Sequence, residues 1–331
     1  MVGTGRIADT GRMTQARSLL VPPGAAGAYH CVQRCVRRAF LCGFDRLSRR
    51  SFEHRKNWIE QRLRLLGDCF AVAIHAYAVM SNHLHVVVHL DPDHAATWSD
   101  AEVAARWVRL FPPANDDDAA KLAKQQRILE QPGRVAVLRA RLADLSWLMR
   151  CLAEPIARAA NAEDDCKGRF WEGRFKAQAL CDTRATLAAM VYVDLNPVRA
   201  GIATRLDDSA HTSILQRLKT LQADAVRQPL RPVIGLLAPC LPLSVGEYIE
   251  LAEWTGKQLR PGKRGAIPAD APGVLSRTET RPERWTVRVQ AIGSGYWRVV
   301  GEVEDLIERA ARMQQRWLKG ISVARRLAKA D

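Results

Sequence analysis

Two histidines separated by one leucine, His83 and His85, stand in the stretch MSNHLHVVVHL. Side chains alternate along a β-strand, so both imidazoles point to one face, at a spacing that lets them share a metal ion. His89 has the same parity but lies further along the run. With 8 histidines in 331 residues, roughly 0.2 such pairs arise by chance, so the pair needs company before it means metal. Company comes from MVYVDLNPVRAG, where Tyr192 and Asn196 are four residues apart and share one side of a helix. A phenol can attack a phosphate when a neighbouring cation takes up the charge building on the scissile oxygen. Two imidazoles and an Asn196 oxygen, with positions left for phosphate and water, suit Mg²⁺ or Mn²⁺. The competing reading makes one histidine solvated and the other packed, Tyr192 a half-buried core aromatic, and Asn196 a helix cap before Pro197. From spacing alone both readings stay open.

The elements that must position these residues are legible in outline. AYHCVQRCVRR (28–38) has the β-branched and aromatic content of a strand. SFEHRKNWIEQRLRLLG (51–67) predicts a helix with Gly67 as its stop. Two apolar runs joined at Ser81-Asn82 predict a β-hairpin over 69–90. A capping-box start opens an amphipathic helix over 99–113, and one or two long helices fill 134–161. GRFWEGRFKAQAL (168–180) reads as a strand, and Asp182 caps a helix that the Asn196-Pro197 step ends. The order predicts an α+β fold: a ferredoxin-like, RRM-like βαββαβ sheet with one final C-terminal helix, the one that carries Tyr192. Residues 1–26 read as flexible, 27–205 as the functional domain with a helical insertion at about 91–165, and 206–331 as a basic, mostly helical extension. That extension carries the Pro/Gly-rich basic stretch LRPGKRGAIPADAPG and no assignable motif.

The charge balance names a class of partner. Fifty Lys and Arg against 35 acids give a net charge of +15 and a pI near 9.9, which point to a polyanion, most commonly nucleic acid. Lys167, Arg169, Arg174 and Lys176 flank Phe170 and Trp171, offering cations for phosphates and an aromatic for base stacking. Arg34 and Arg199 are further candidate DNA contacts. Trp171 reads equally well as a core anchor, and Arg199 as a solvated residue after the helix. The 8 cysteines form no CxxC pair, so ordinary reduced thiols are expected. No apolar run approaches a membrane span and no signal-peptide pattern opens the chain, so a cytoplasmic location is expected.

AYAVMSNHLHVVV, GRFWEGRFKAQAL and YVDLNPVRAGI, in this order, resemble the HUH single-strand DNA transposases with one catalytic tyrosine. The resemblance is nearest to the REP-associated tyrosine transposases. The histidine–hydrophobe–histidine motif falls on His83-Leu84-His85, and the tyrosine followed four residues later by a polar ligand falls on Tyr192 and Asn196. It spans about residues 27 to 205. It implies a DNA transposase in which His83, His85 and Asn196 hold Mg²⁺ or Mn²⁺ and Tyr192 attacks. A 5′-phosphotyrosine and a free 3′-hydroxyl result, and strands rejoin without ATP. The implied partner is single-stranded DNA with hairpin-forming repeats, acted on by a monomer or homodimer, with no membrane involved. The chain departs from the simplest members in its longer, more helical 91–147 and in everything after about 205. The rivals are a nucleic-acid-binding protein on the same fold with an inactive site, a replication or relaxase-type HUH nickase, and a metallohydrolase using water.

Overall fold

The computed structural model describes residues 17–36, 42–45, 49–235, 241–259, 271–278, 280–296 and 298–328. In chain order the elements that matter are β1 (Gly27–Arg34), α1 (Arg55–Cys69), β2 (Val72–Val79) and β3 (His83–Leu90). Four helices follow: α2 (Asp100–Leu110), α3 (Asp118–Leu129), α4 (Arg134–Leu142) and α5 (Leu145–Glu163). Then come β4 (Lys176–Leu180), α6 (Thr183–Asp194), the short α7 (Asn196–Arg199) and α8 (Ser213–Lys219). The last part adds α9 (Val245–Gln258), α10 (Pro282–Ser294) and β5 (Val299–Val300), and two helices close the chain at 303–312 and 321–328.

The fold is α+β, built on a five-stranded sheet in the order β2-β3-β1-β4-β5. All pairs are antiparallel except β4 with β5. The register sets which residues share a face. Val32 of β1 stands opposite His85 and Lys176, Arg34 opposite His83, and His30 opposite Val87 and Gln178. Tyr77 pairs with Val86, on the other face from His85, and its hydroxyl donates to Glu60 of α1 at 2.9 Å. Helix α1 therefore covers the face away from the histidines, burying Ile59, Leu63 and Leu66. Buried Arg55 at its start is ion-paired with Glu163 and Asp164 at the end of α5.

Several sequence expectations need correction. The α1 helix starts at Arg55 with His54 before it, and Gly67 lies inside it, not at its stop. A Cβ there would come within 2.4 Å of Ile234, so the glycine serves a close approach between elements. Strand β4 begins only at Lys176, and residues 168–175 form a loop before it. Strand β1 ends at Arg34, and residues 37–41 lie outside the described set, as does most of the basic stretch around 260–270. The Ser99 capping box with Glu102 and the Asp182 cap form as expected.

Strand β2 is an edge strand in which every residue is buried. Its exposed hydrogen-bonding edge is closed by later chain. The Ile74 N–H donates to Ile234 at 2.8 Å, Val233 to Ile74 at 2.9 Å, and Val79 to His211 at 3.1 Å. Gly235 makes this closure possible. Its φ is +106°, and a Cβ would sit 2.3 Å from the Val72 carbonyl oxygen. Gly235→Ala is therefore expected to cost about 2 kcal/mol or more of unfolding free energy, from left-handed strain and a backbone clash together. A urea denaturation curve checks this, and an unchanged midpoint would show that residues 233–235 do not hold the edge.

Candidate active site

Helix α6 is apolar around nearly its whole circumference, with Ala185, Leu187, Ala188, Ala189, Met190, Val191 and Val193 buried. A helix of that composition must be covered on both sides. The sheet covers one side, and α10 and α9, which follow residue 205, pack on the other. Asp194 pins its C-terminal end. This fully buried carboxylate accepts hydrogen bonds from the Ser213 and Tyr248 hydroxyls and, at 3.0 Å, from the Ile214 N–H. Burial pushes its pKa up to about 6, against the lowering effect of those donors and of Arg217.

The helix ends at Asp194, and Asn196 opens α7, so Tyr192 and Asn196 do not lie on one continuous helix as expected. The short break keeps both on the same side. The Asn196 amide nitrogen is 3.2 Å from His85 Nε2. The His83 and His85 rings meet edge to face with centroids 4.8 Å apart, and the Tyr192 ring is 5.9 Å from His85. Four residues chosen by type and spacing thus converge at one end of the sheet. Their neighbours include two arginines expected at DNA. Arg34 is exposed beside His83, whose pKa is lowered by burial and further by the charge of Arg34, while Arg199 places its guanidinium 4.5 Å from the centre of the Tyr192 ring.

Arg169 and Arg174 project from the loop before β4, and Lys176 opens that strand; all three are exposed. The loop is fastened to β1, where Gln33 donates to the Gly173 carbonyl at 3.0 Å and the Glu172 N–H donates to the Arg34 carbonyl at 2.9 Å. Trp171 is half-buried and gives its indole N–H to the Ala153 carbonyl at 2.9 Å. Its anchoring role is thereby visible in the contacts.

Sequence reasoning missed His30, Gln178, Asp194 and Gly293. His30 is buried on β1 with Nε2 2.9 Å from His85 Nδ1 and Nδ1 2.7 Å from the Gln178 side-chain oxygen. Gly293 of α10 lies against the tyrosine, since a Cβ there would be 2.7 Å from the Tyr192 hydroxyl. The alternation of His30, Val32 and Arg34 in AYHCVQR was readable, but only the cross-strand register places His30 beside His85. Nothing in the sequence joins Gly293 to Tyr192.

Desolvation makes the imidazoles poor bases. It lowers His30 and His83 to about 4, and holds His85 well below the ordinary histidine value. All three are neutral at pH 7, the form that offers a lone pair to a metal. Among the described residues no three His, Cys, Asp or Glu side chains group as a metal site. His75, buried on β2, is lowered to about 3 by the same cause. The unfolded chain takes up these protons near pH 6.5, whereas the folded chain refuses them until about pH 4 at His30 and His83 and about pH 3 at His75. Stability from these groups is therefore complete above about pH 6.5 and lost as pH falls towards 4. Asp194 acts oppositely below about pH 6, but it is one group against at least three. Each of the three histidines loses about 2 kcal/mol by pH 5 and Asp194 returns a little over 1, so a net loss of roughly 4 kcal/mol between pH 7.5 and pH 5 is expected, read from urea midpoints.

No protein-family model and no curated protein matches this chain. Among solved structures, a REP-associated tyrosine transposase bound to a REP hairpin is similar at 12% identity and a TM-score of 0.31, over 59% of this chain and 80% of that one. A likeness this distant carries no argument, and the functional reading rests on the site itself. No helix among the described residues is long and apolar enough to cross a membrane.

Proposed function

We propose that this chain is a metal-assisted DNA transposase of the HUH, REP-associated tyrosine type, cutting and rejoining single-stranded DNA at repeat hairpins. The observation that carries this reading is the convergence of His83, His85, Asn196 and Tyr192, with the Asn196 amide 3.2 Å from His85 Nε2 and the Tyr192 ring 5.9 Å from that imidazole. In this reading the first four strands of the sheet, in spatial order β2-β3-β1-β4, are the ferredoxin-like unit.

The residues present fit a divalent cation. Two adjacent imidazoles are kept neutral by burial, and an amide that can turn its oxygen inward faces the second of them. His83, His85 and Asn196 would hold Mg²⁺ or Mn²⁺, which would neutralise charge at the scissile phosphate. Tyr192 Oη attacks phosphorus and gives up its proton, the P–O3′ bond breaks, and the departing 3′ oxygen takes a proton. The product is a 5′-phosphotyrosine and a 3′-hydroxyl, and the reverse attack rejoins strands with one phosphodiester exchanged for another. Exposed Arg34 and Arg199 at the site, and Arg169, Arg174 and Lys176 along the adjoining loop and strand, would contact the DNA backbone. The acting species is a monomer or homodimer.

The test uses single-stranded hairpin oligonucleotides labelled at the 3′ end, incubated with Mn²⁺ or Mg²⁺ and denatured in SDS. Label that migrates with protein and depends on metal supports the reading. Cleavage without an adduct sinks it in favour of a hydrolase. Binding without cleavage across a broad hairpin pool favours an inactive nucleic-acid-binding protein.

A further inference from the structure

His85 is the end of a hydrogen-bonded chain whose direction can be worked out from heavy atoms alone. Gln178 on β4 places its side-chain nitrogen 3.0 Å from the Ile292 carbonyl oxygen and 3.4 Å from that of Tyr296. Both oxygens only accept, so this end of the amide must be the NH₂ group. The amide oxygen is then the atom 2.7 Å from His30 Nδ1, which must carry a hydrogen. A neutral imidazole carries one N–H, and His30 is buried with an amide oxygen and an imidazole, not a carboxylate, as its side-chain partners, so its Nε2 is an acceptor. His85 Nδ1, 2.9 Å away, therefore donates, and His85 Nε2 is left with a bare lone pair. The far end is compatible: the Asn196 amide nitrogen lies 3.2 Å from His85 Nε2 and can donate to that lone pair, and the amide can turn to offer its oxygen when a cation takes the lone pair. Reversing the chain would press the Gln178 oxygen against two carbonyl oxygens.

We propose that His30 and Gln178 are positioning residues that fix the tautomer of His85, so that its Nε2 lone pair faces Tyr192 and Asn196 and is ready for a metal ion. The instruction originates in the carbonyls of Ile292 and Tyr296, at the end of α10. The segment after residue 205 thereby acquires a part in the site beyond walling Tyr192 with Gly293. An outer partner that locks a ligating histidine in this way typically changes metal affinity by about 10–100-fold. The relay rests on the metal site proposed above and deepens that reading.

Two measurements on the full chain test it. Long-range ¹⁵N–¹H spectra of the metal-free protein, with histidines isotope-labelled, should show both His30 and His85 protonated at Nδ1 and bare at Nε2. Mn²⁺ titration followed by electron paramagnetic resonance should show binding that His83→Ala weakens. His30→Leu, which has no acceptor for the His85 N–H, should weaken it about 10–100-fold. His30→Gln, whose amide oxygen can accept in the same place, should stay within about threefold of the parent, well short of that loss. A His85 protonated at Nε2, with Mn²⁺ binding still dependent on His83, overturns the relay and leaves the metal site standing. Equal Mn²⁺ affinity in the parent and His30→Leu also overturns the relay. Mn²⁺ binding indifferent to His83→Ala removes the metal site and the relay together. The spectra need no variant, so they decide the His85 tautomer even where a His30 substitution fails to fold.

Discussion

Tyr192→Phe is expected to abolish the SDS-resistant DNA adduct and lower strand cleavage by roughly 10⁴-fold or more, the scale of losing a nucleophile. The same change should leave the fold alone. The ring of Tyr192 makes edge-to-face contacts with His30 and His85 and carries Arg199 over its face, and phenylalanine keeps all three. The hydroxyl sits against Gly293, so removing one oxygen leaves no large void. A stability change within about 1 kcal/mol is expected, which makes the variant a clean probe of chemistry. Cleavage and adduct are read on one denaturing gel with 3′-labelled hairpins, with urea unfolding run beside it. If cleavage persists in the phenylalanine variant, a water molecule is the nucleophile and Tyr192 is a packing residue. If unfolding shifts by several kcal/mol, the hydroxyl has a structural partner and the activity loss says nothing about attack.

Much of this site could be read from strand parity and helix period. His83 and His85 share a face because side chains alternate, and their rings do meet. Tyr192 and Asn196 fall on one side because four residues make about one turn, and a break at Leu195 does not undo that. Parity stops at the edge of its own strand. His30 needed the register that sets Val32 opposite His85, and Gln178 needed a second register, with Gln178 opposite His30. These depend on which strands pair, a global property. The larger omission was the chain after residue 205. Its short strand β5, only Val299–Val300, gives no periodic signal, yet it pairs with β4. Its residues 211 and 233–235 close the edge of β2 through backbone atoms, which have no sequence signature beyond Gly235. The fully buried pattern of VAIHAYAV hinted that something must cover that edge. No local rule said what.

Asp194→Ala should be the most damaging single change outside the chemistry, at about 3–5 kcal/mol of unfolding free energy. Three donors converge on this carboxylate inside the protein, two hydroxyls and a backbone N–H, and all three lose their acceptor at once. Buried Arg217 also loses a nearby negative charge; it remains tied to the His75 and Arg231 carbonyls, each at 2.9 Å. The loss propagates, because Ser213 also accepts a hydrogen bond from the Tyr77 N–H at 3.0 Å and so joins the end of α6 to the edge strand. Asp194→Asn keeps one acceptor oxygen for Ser213 and Ile214, and its NH₂ can donate to the Tyr248 oxygen, so about 1–2 kcal/mol is expected. The ordering of the two variants is the discriminating result. Equal and large losses would mean that charge, through Arg217, matters more than the hydrogen bonds. Equal and small losses would mean that apolar packing alone holds α6. With the expected ordering, the asparagine variant should still form the Tyr192 adduct at a rate near the parent's, because Asp194 stands two residues from the tyrosine as the fastening of its helix and takes no part in the transfer.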